Sequence, residues 1–172
     1  MITVTKTALE DVRLIQPSLF EDFRGFYLET FNEKEYQEAG IDVRFVTDDI
    51  SISRKHVLRG IHGDGQTWKL ISCLYGSFYF VVVNCNLESL GFGKWVSFTL
   101  SDVNRRQVLV PPKHGNAHLV MSDMCIFHYK QSAYYAGAEH QFTYRYNDPR
   151  CGIWWPIKNP LLSERDEKTE VV

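Results

Sequence analysis

The sequence lacks an excess of charge of either sign. Its 19 Lys and Arg stand against 21 Asp and Glu, a formal net charge of −2 over 172 residues. No broad basic surface is available to neutralise a run of phosphates, so a nucleic-acid footprint is not expected. A small anionic ligand needs only two or three well-placed cations and stays open. The chain also lacks any apolar run of about 18 residues, so no transmembrane helix is expected. Its start, MITVTKTALEDVRLIQP, has no apolar signal core and carries acids at Glu10 and Asp11. A secretory leader is therefore not expected, and the expected compartment is the cytoplasm. No CxxC pair occurs among Cys73, Cys85, Cys125 and Cys151, which fits free thiols better than a disulfide frame. Internal repeats, low-complexity runs and linkers are missing, so residues 1–172 are expected to form one domain.

What is present is apolar and aromatic: 44% hydrophobic and 14% aromatic residues, enough for a real core and too much for disorder. Leu70 to Asn84 (LISCLYGSFYFVVVN) is rich in β-branched and aromatic residues and is broken by Gly76. Lys94 to Leu100 alternates apolar and polar, as a half-buried strand does. Short strands are expected at Gln107 to Val110, His118 to Met121, Cys125 to Tyr129 and Phe142 to Tyr146. Lys34 to Ala39, stopped by Gly40, is the best helix; the charged stretch 163–172 reads as a short helix or a tail. Turn signals every 8 to 15 residues from Asp48 to Trp155 predict a mainly β chain, an antiparallel sandwich or barrel with a few short helices.

Several clusters can carry chemistry. In LRGIHGDGQTWKL (Leu58 to Leu70) two cations, Arg59 and Lys69, flank a glycine-rich loop that holds His62, a usable general base near neutral pH. In VPPKHGNAHLVMSD (Val110 to Asp123), His114, Asn116 and His118 share one face if the backbone is extended. They form a polar pocket wall or, less well for want of a nearby carboxylate, a metal site. Tyr129 and Lys130 face opposite sides of a strand. Tyr129 is core packing or, inside a polar pocket, a general acid whose pKa a neighbouring cation lowers. In FEDFRGFYLETF (Phe20 to Phe31), Arg24 sits on a turn that presents a guanidinium, a group shaped for phosphate. Asp166, in LSERD, is solvated charge unless it orients a histidine.

Taken in order, these segments resemble the dTDP-4-dehydrorhamnose 3,5-epimerase family, whose members act on nucleotide-linked 4-keto sugars. The motifs are F-x-D-x-R-G (Phe20 to Gly25), E-x-F (Glu29 to Phe31), S-x-S…V-L-R-G-I-H (Ser51 to His62) and K-L (Lys69-Leu70). They continue as V-P-P (Val110 to Pro112), V-x-S-D (Val120 to Asp123), Y-K…Y-Y (Tyr129 to Tyr135), N-D-P…G-I-x-W-P (Asn147 to Pro156) and L-S-x-[KR]-D (Leu162 to Asp166). The resemblance covers nearly the whole chain.

It implies a cupin-type double-stranded β-helix (jelly roll) and a homodimer with exchanged N-terminal strands. In that dimer the arm 1–45 contacts the partner, and Arg24 and Glu29 help to build the neighbouring site. It implies C3 and C5 inversion of a 4-keto sugar through an enolate, without metal or other cofactor. His62 would be the base, Asp166 its supporting carboxylate, Lys69 the cation at the enolate oxygen and Tyr129 the acid on the opposite face. Arg59 and Arg24 would bind sugar oxygens or diphosphate, with Asn116 and His118 as further substrate contacts.

Two departures stand out. The family's P-P-x-F-A-H-G-F reads Pro111-Pro112-Lys113-His114-Gly115-Asn116-Ala117-His118 here, so Asn116 replaces the family histidine. The family's Q-D-N-H-S reads Thr47-Asp48-Asp49-Ile50-Ser51. Asp49 is a pure acceptor where an amide is usual. Guanine offers a carboxylate two adjacent donors, and the Gly-Asn-Ala-His run resembles the epimerases of GDP-4-keto-heptoses in capsule pathways. The expected substrate is therefore a GDP-4-keto-heptose or a dTDP-4-keto-6-deoxyhexose. A C3-only epimerase and a non-catalytic sugar-nucleotide-binding cupin are the alternatives. A 3,4-ketoisomerase fits less well, because that class carries different histidine pairs and lacks the late L-S-x-[KR]-D, and so does a metal-dependent cupin, because His62 is followed by Asp64 rather than by a second histidine.

Overall fold

The computed structural model describes residues 1–169; positions 170–172 of the expected C-terminal tail lie outside the described residues. The chain opens with β1 (Thr3–Lys6), β2 (Arg13–Gln16) and the hairpin β3 (Leu19–Asp22) and β4 (Gly25–Leu28), followed by α1 (Glu33–Glu38). Next come β5 (Thr47–Arg54), β6 (Leu58–Gly63), β7 (Lys69–Tyr75), β8 (Ser77–Asn84), β9 (Trp95–Ser101) and β10 (Gln107–Val110). The last elements are β11 (His114–Val120), β12 (Met124–Gln131), the short β13 (Phe142–Thr143) and α2 (Glu164–Lys168).

Two antiparallel sheets form the jelly roll. One has the order β1-β2-β10-β7-β12-β5 and the other β13-β6-β11-β8-β9, while β3 and β4 pair only with each other. The long apolar run expected around Gly76 is two strands, as its composition predicted. Gly76 adopts φ +75, and a Cβ there would meet the Met124 carbonyl at 2.1 Å, so only glycine turns this corner. β8 is apolar on both faces for a reason. Phe78, Phe80 and Val82 enter the core between the sheets with Ile71, Val108, Val110 and Phe127. Val81 and Val83 face the other way, under a layer from the C-terminal third that includes Tyr144, Tyr146, Trp155 and Ile157. Burying each such side chain is worth about 1.5–3 kcal/mol.

The outer face of the six-stranded sheet is only partly covered. Ile15, Leu70 and Leu109 lie under Tyr36 and Ile41 of the α1 segment. α1 runs one residue earlier than expected, because Asn32 caps it by accepting from the Glu35 N–H at 3.2 Å. At the uncovered end, β5 is inverted. Its polar residues Asp49 and Ser51 turn inward to a cleft, while Ile50 and Ile52 are 58% and 57% exposed.

Two strand expectations need correction. β11 starts four residues before His118, because the stretch from His114 pairs continuously with β8. The expected strand Phe142 to Tyr146 shrinks to Phe142–Thr143 paired with β6, the chain then turning away after a hydrogen-bonded contact between Tyr144 and Ile61.

Candidate active site

A cleft of about 490 Å³ opens between the two sheets. Its walls include Asp49 and Ser51 of β5, Arg59 and His62 of β6, Lys69 and Ile71 of β7, Asn116 and His118 of β11, and Phe127 and Tyr129 of β12. Arg59 and His62 are three apart and would face opposite sides of a regular strand. They share the cleft because β6 is irregular. Asn116 and His118, two apart on β11, are partnered by His62 and Arg59, so β6 carries an extra residue at this point. Gly60 makes the bulge possible. It adopts φ +118, and a Cβ on it would approach the Asn116 carbonyl to 2.4 Å.

His62 Nε2 lies 2.5 Å from Asp166 Oδ1. An ionised carboxylate only accepts, so Nε2 carries the proton and the imidazole lone pair sits on Nδ1. Asp166 is 4% exposed, not solvated tail. Burial works against its charge. Hydrogen bonds from His62, from Ser163 and from the Gly60 backbone outweigh this and hold the carboxyl below its usual range. Across the cleft, Lys69 is buried and its Nζ donates to Asn116 Oδ1 at 3.3 Å. Desolvation lowers the pKa of this ammonium, opposed by Asp64. Arg59 donates from Nε to Ser53 Oγ at 2.9 Å, and Asp49 accepts from Gln131 Nε2 at 3.3 Å.

Tyr129 corrects an expectation. Its pKa is raised, not lowered: burial is the main cause, Asp49 adds to it, and the nearby Arg59 cation only partly offsets them. The phenol therefore holds its proton near pH 7. Lys130 does face the other way, onto Asp48, which also accepts from His128.

His118 is fully buried, stacked on the Phe127 ring at 4.1 Å, and its Nε2 has no partner among the described residues. Burial, with Arg59 and His62 close by, pushes its pKa down to about 3, so it is neutral near pH 7. The expected trio on one face is only a pair. Asn116 and His118 line the cleft, whereas His114 bonds back to the Pro112 carbonyl at 3.1 Å. Among the described residues, no three His, Cys, Asp or Glu side chains converge as a metal site would require.

Arg24 and Glu29 do not reach this cleft. Arg24 pairs with Asp22 at the tip of the β3–β4 hairpin, and Glu29 accepts from Asn32 Nδ2 at 3.0 Å. The rest of the arm is used at home: β1 and β2 join the six-stranded sheet and α1 caps it. The β3–β4 hairpin joins neither sheet; it meets the body through Phe26, whose ring Arg105 covers at 3.8 Å, and leaves Phe23 98% and Phe20 64% exposed.

The sequence reading missed several wall residues. Ser51 follows Asp49 at an alternate position, and Gln131 follows Tyr129 in the same way, so strand periodicity would have found them. Arg165 was legible beside Asp166. It lines the cleft and donates to Thr143 Oγ1 at 2.6 Å and to Gln141 Oε1 at 3.3 Å.

The chain has relatives among known sequences and solved structures. The sequence model of dTDP-4-dehydrorhamnose 3,5-epimerase matches residues 6–172. The dTDP-4-dehydrorhamnose 3,5-epimerase of Shigella flexneri is 38% identical over 169 residues, 96% of this chain and 93% of that one. Among solved structures, the Legionella pneumophila dTDP-6-deoxy-D-glucose-3,5-epimerase, in complex with dTDP-4-keto-L-rhamnose, superposes with a TM-score of 0.91 at 38% identity. That match covers 97% of this chain and 90% of that one. The Bacillus anthracis dTDP-4-dehydrorhamnose 3,5-epimerase, with TDP and PPi bound, gives 0.95 at 32% identity over the full length of both.

Proposed function

The chain belongs to the dTDP-4-dehydrorhamnose 3,5-epimerase family, and from that premise we propose how its cleft inverts C3 and C5 of a nucleotide-diphosphate 4-keto sugar. The ketone at C4 acidifies the protons on C3 and C5. His62 Nδ1 takes one of them, and the C–H electron pair moves into the ring to give an enolate. Asp166 stabilises the imidazolium that forms. Lys69, held against Asn116, supplies positive charge where the enolate oxygen develops negative charge. His62 comes from the five-stranded sheet and Tyr129 from the six-stranded sheet. A flat sugar ring between the two sheets thus meets a base on one face and a phenolic donor on the other. Protonation by Tyr129 on the far face inverts the carbon; the imidazolium then gives its proton to solvent and the phenolate takes one from solvent, which resets the pair for the second carbon. The single observation that carries this reading is the His62–Asp166 pair, its carboxylate buried and its imidazole at the wall of a cleft that also holds a lysine and a tyrosine.

Arg59 and Arg165 line the same cleft and are suited to sugar oxygens or to the diphosphate. Asp49 faces the cleft with its carboxylate, which favours a base with adjacent N–H donors, as in GDP, over thymine. Asn116 and His118 complete the sugar-binding wall. A second copy of the chain is part of the proposal. The exposed isoleucines of β5 and the aromatic hairpin that joins neither sheet fit a homodimer whose hairpins cross, each carrying Arg24 to the partner's cleft.

The test is incubation with 4-keto sugar nucleotides in D₂O, followed by NMR. Deuterium at C3 and C5 supports the reading; deuterium at C3 alone makes the enzyme a C3-epimerase. No incorporation from any such sugar overturns it. Competition between dTDP and GDP decides the base, and clearly tighter dTDP binding removes the role given to Asp49.

A further inference from the structure

The stretch from Leu161 to Lys168 does more than carry Asp166 to His62. Its start is pinned to the base of β6, where the Leu58 N–H donates to the Leu161 carbonyl at 2.9 Å and the Leu161 N–H to the His56 carbonyl at 2.8 Å. Ser163 then opens α2 as its N-cap, its Oγ accepting from the Asp166 N–H at 3.2 Å. Capping needs only the acceptor half of a hydroxyl. The donor half is engaged separately: Ser163 Oγ donates to Asp166 Oδ2 at 2.9 Å. Both oxygens of the buried carboxylate are thus partnered, Oδ1 by His62 and Oδ2 by Ser163. With one oxygen held from each side, the carboxylate cannot rotate without breaking a hydrogen bond to a buried charge.

We infer that Ser163 is a positioning residue for the base: its hydroxyl locks the Asp166 carboxylate, and through it the tautomer and tilt of the His62 ring. The residue touches no reacting atom. Its kinetic consequence rests on the epimerase reading above, while its effect on the imidazole rests on geometry alone.

Two variants separate positioning from capping. Glycine lacks the acceptor as well as the donor, but at an N-cap it costs only a few tenths of a kcal/mol relative to serine, so Ser163→Gly removes the donor at little cost to the helix start. Ser163→Thr keeps both. The His62 Nε2–H proton is followed by NMR, identified by its disappearance in His62→Asn, alongside kcat, KM and the melting midpoint. In Ser163→Gly we expect kcat to fall about ten- to hundredfold with KM changed by no more than about twofold, the scale of one lost hydrogen bond to a buried charge. The His62 proton should shift or broaden into solvent exchange, and Ser163→Thr should restore both. A Gly variant with wild-type kcat and an unmoved proton overturns the inference. So does a kcat loss that follows the melting midpoint while the proton stays put. If the unmodified enzyme incorporates no deuterium, the epimerase reading falls, and the imidazole proton alone decides the role of Ser163.

Discussion

Asp166 Oδ1 sits 2.5 Å from His62 Nε2, although 104 positions separate the two residues in the chain. One lies on a bulged strand of the five-stranded sheet and the other on the short helix α2. The pair fixes which imidazole nitrogen is free, and the chemistry at the cleft depends on that choice.

Replacing Asp166 by Asn keeps the shape and removes the charge. An amide can donate to Nε2 and so favour the wrong tautomer. The expected loss in kcat is about a thousandfold or more, with a melting midpoint near that of the unmodified protein. Activity within tenfold of wild type would mean that the carboxylate does not govern the tautomer. Because the Asp166 carboxyl is depressed, its contribution to stability is complete above its ordinary range and is lost only as pH falls through the lowered value. An acidic limb of activity between pH 5 and 7 therefore belongs to another group.

His62→Asn and Tyr129→Phe should separate the two halves of the reaction. Without the base, deuterium exchange from D₂O stops at both carbons. Without the phenol, the first proton still leaves and exchange persists while inverted product does not accumulate. NMR of the product sugar distinguishes these outcomes. Full activity in either variant removes that residue from the mechanism.

His118 should make the protein acid-labile. Unfolded, it binds a proton below about pH 6.5; folded, it resists protonation down to about 3. The unfolded state binds more protons in that window, so stability falls as pH drops through it. His118→Phe keeps a ring against Phe127 and removes the titrating group. Its melting midpoint should change less between pH 7 and pH 4 than that of the unmodified protein. Parallel curves would show that the buried imidazole is not the source.

The β6 bulge should tolerate no side chain at Gly60. Gly60→Ala combines φ +118 with a 2.4 Å approach to backbone oxygen, and we expect a loss of at least about 2 kcal/mol. Denaturant unfolding measures it directly. A loss below about 0.5 kcal/mol, the scale of a surface substitution, would show that the bulge relaxes freely.

If the hairpin completes the neighbour's site, two inactive variants should rescue each other. Arg24→Ala and His62→Asn place their lesions in different sites of a mixed dimer, leaving one site intact. After joint refolding at equal amounts, activity should recover to about a quarter of wild type, since half the dimers are mixed and each has one good site of two. No recovery would place Arg24 and His62 in the same chain's site.

Much of the fold was legible because its signals are local. Gly76 splits the apolar run, Gly40 stops α1, and the alternation in Lys94 to Leu100 marks a strand with one face in the core. The residues to which the proposed chemistry is assigned were legible as well, since His62, Lys69, Tyr129 and Asp166 stand in motifs whose order resembles the epimerase family. Other things depend on partners that are distant in the chain. The extra residue in β6, which turns both Arg59 and His62 into one cleft, is visible only in its register with β11. The burial that raises the Tyr129 pKa comes from the packing of the two sheets, which outweighs the nearby cation the sequence brought to mind. Composition and periodicity therefore determined which residues were available and which elements they form. The tertiary structure decided which of them meet, at what distance and in what dielectric, because these are properties of strand register and sheet packing rather than of neighbours along the chain.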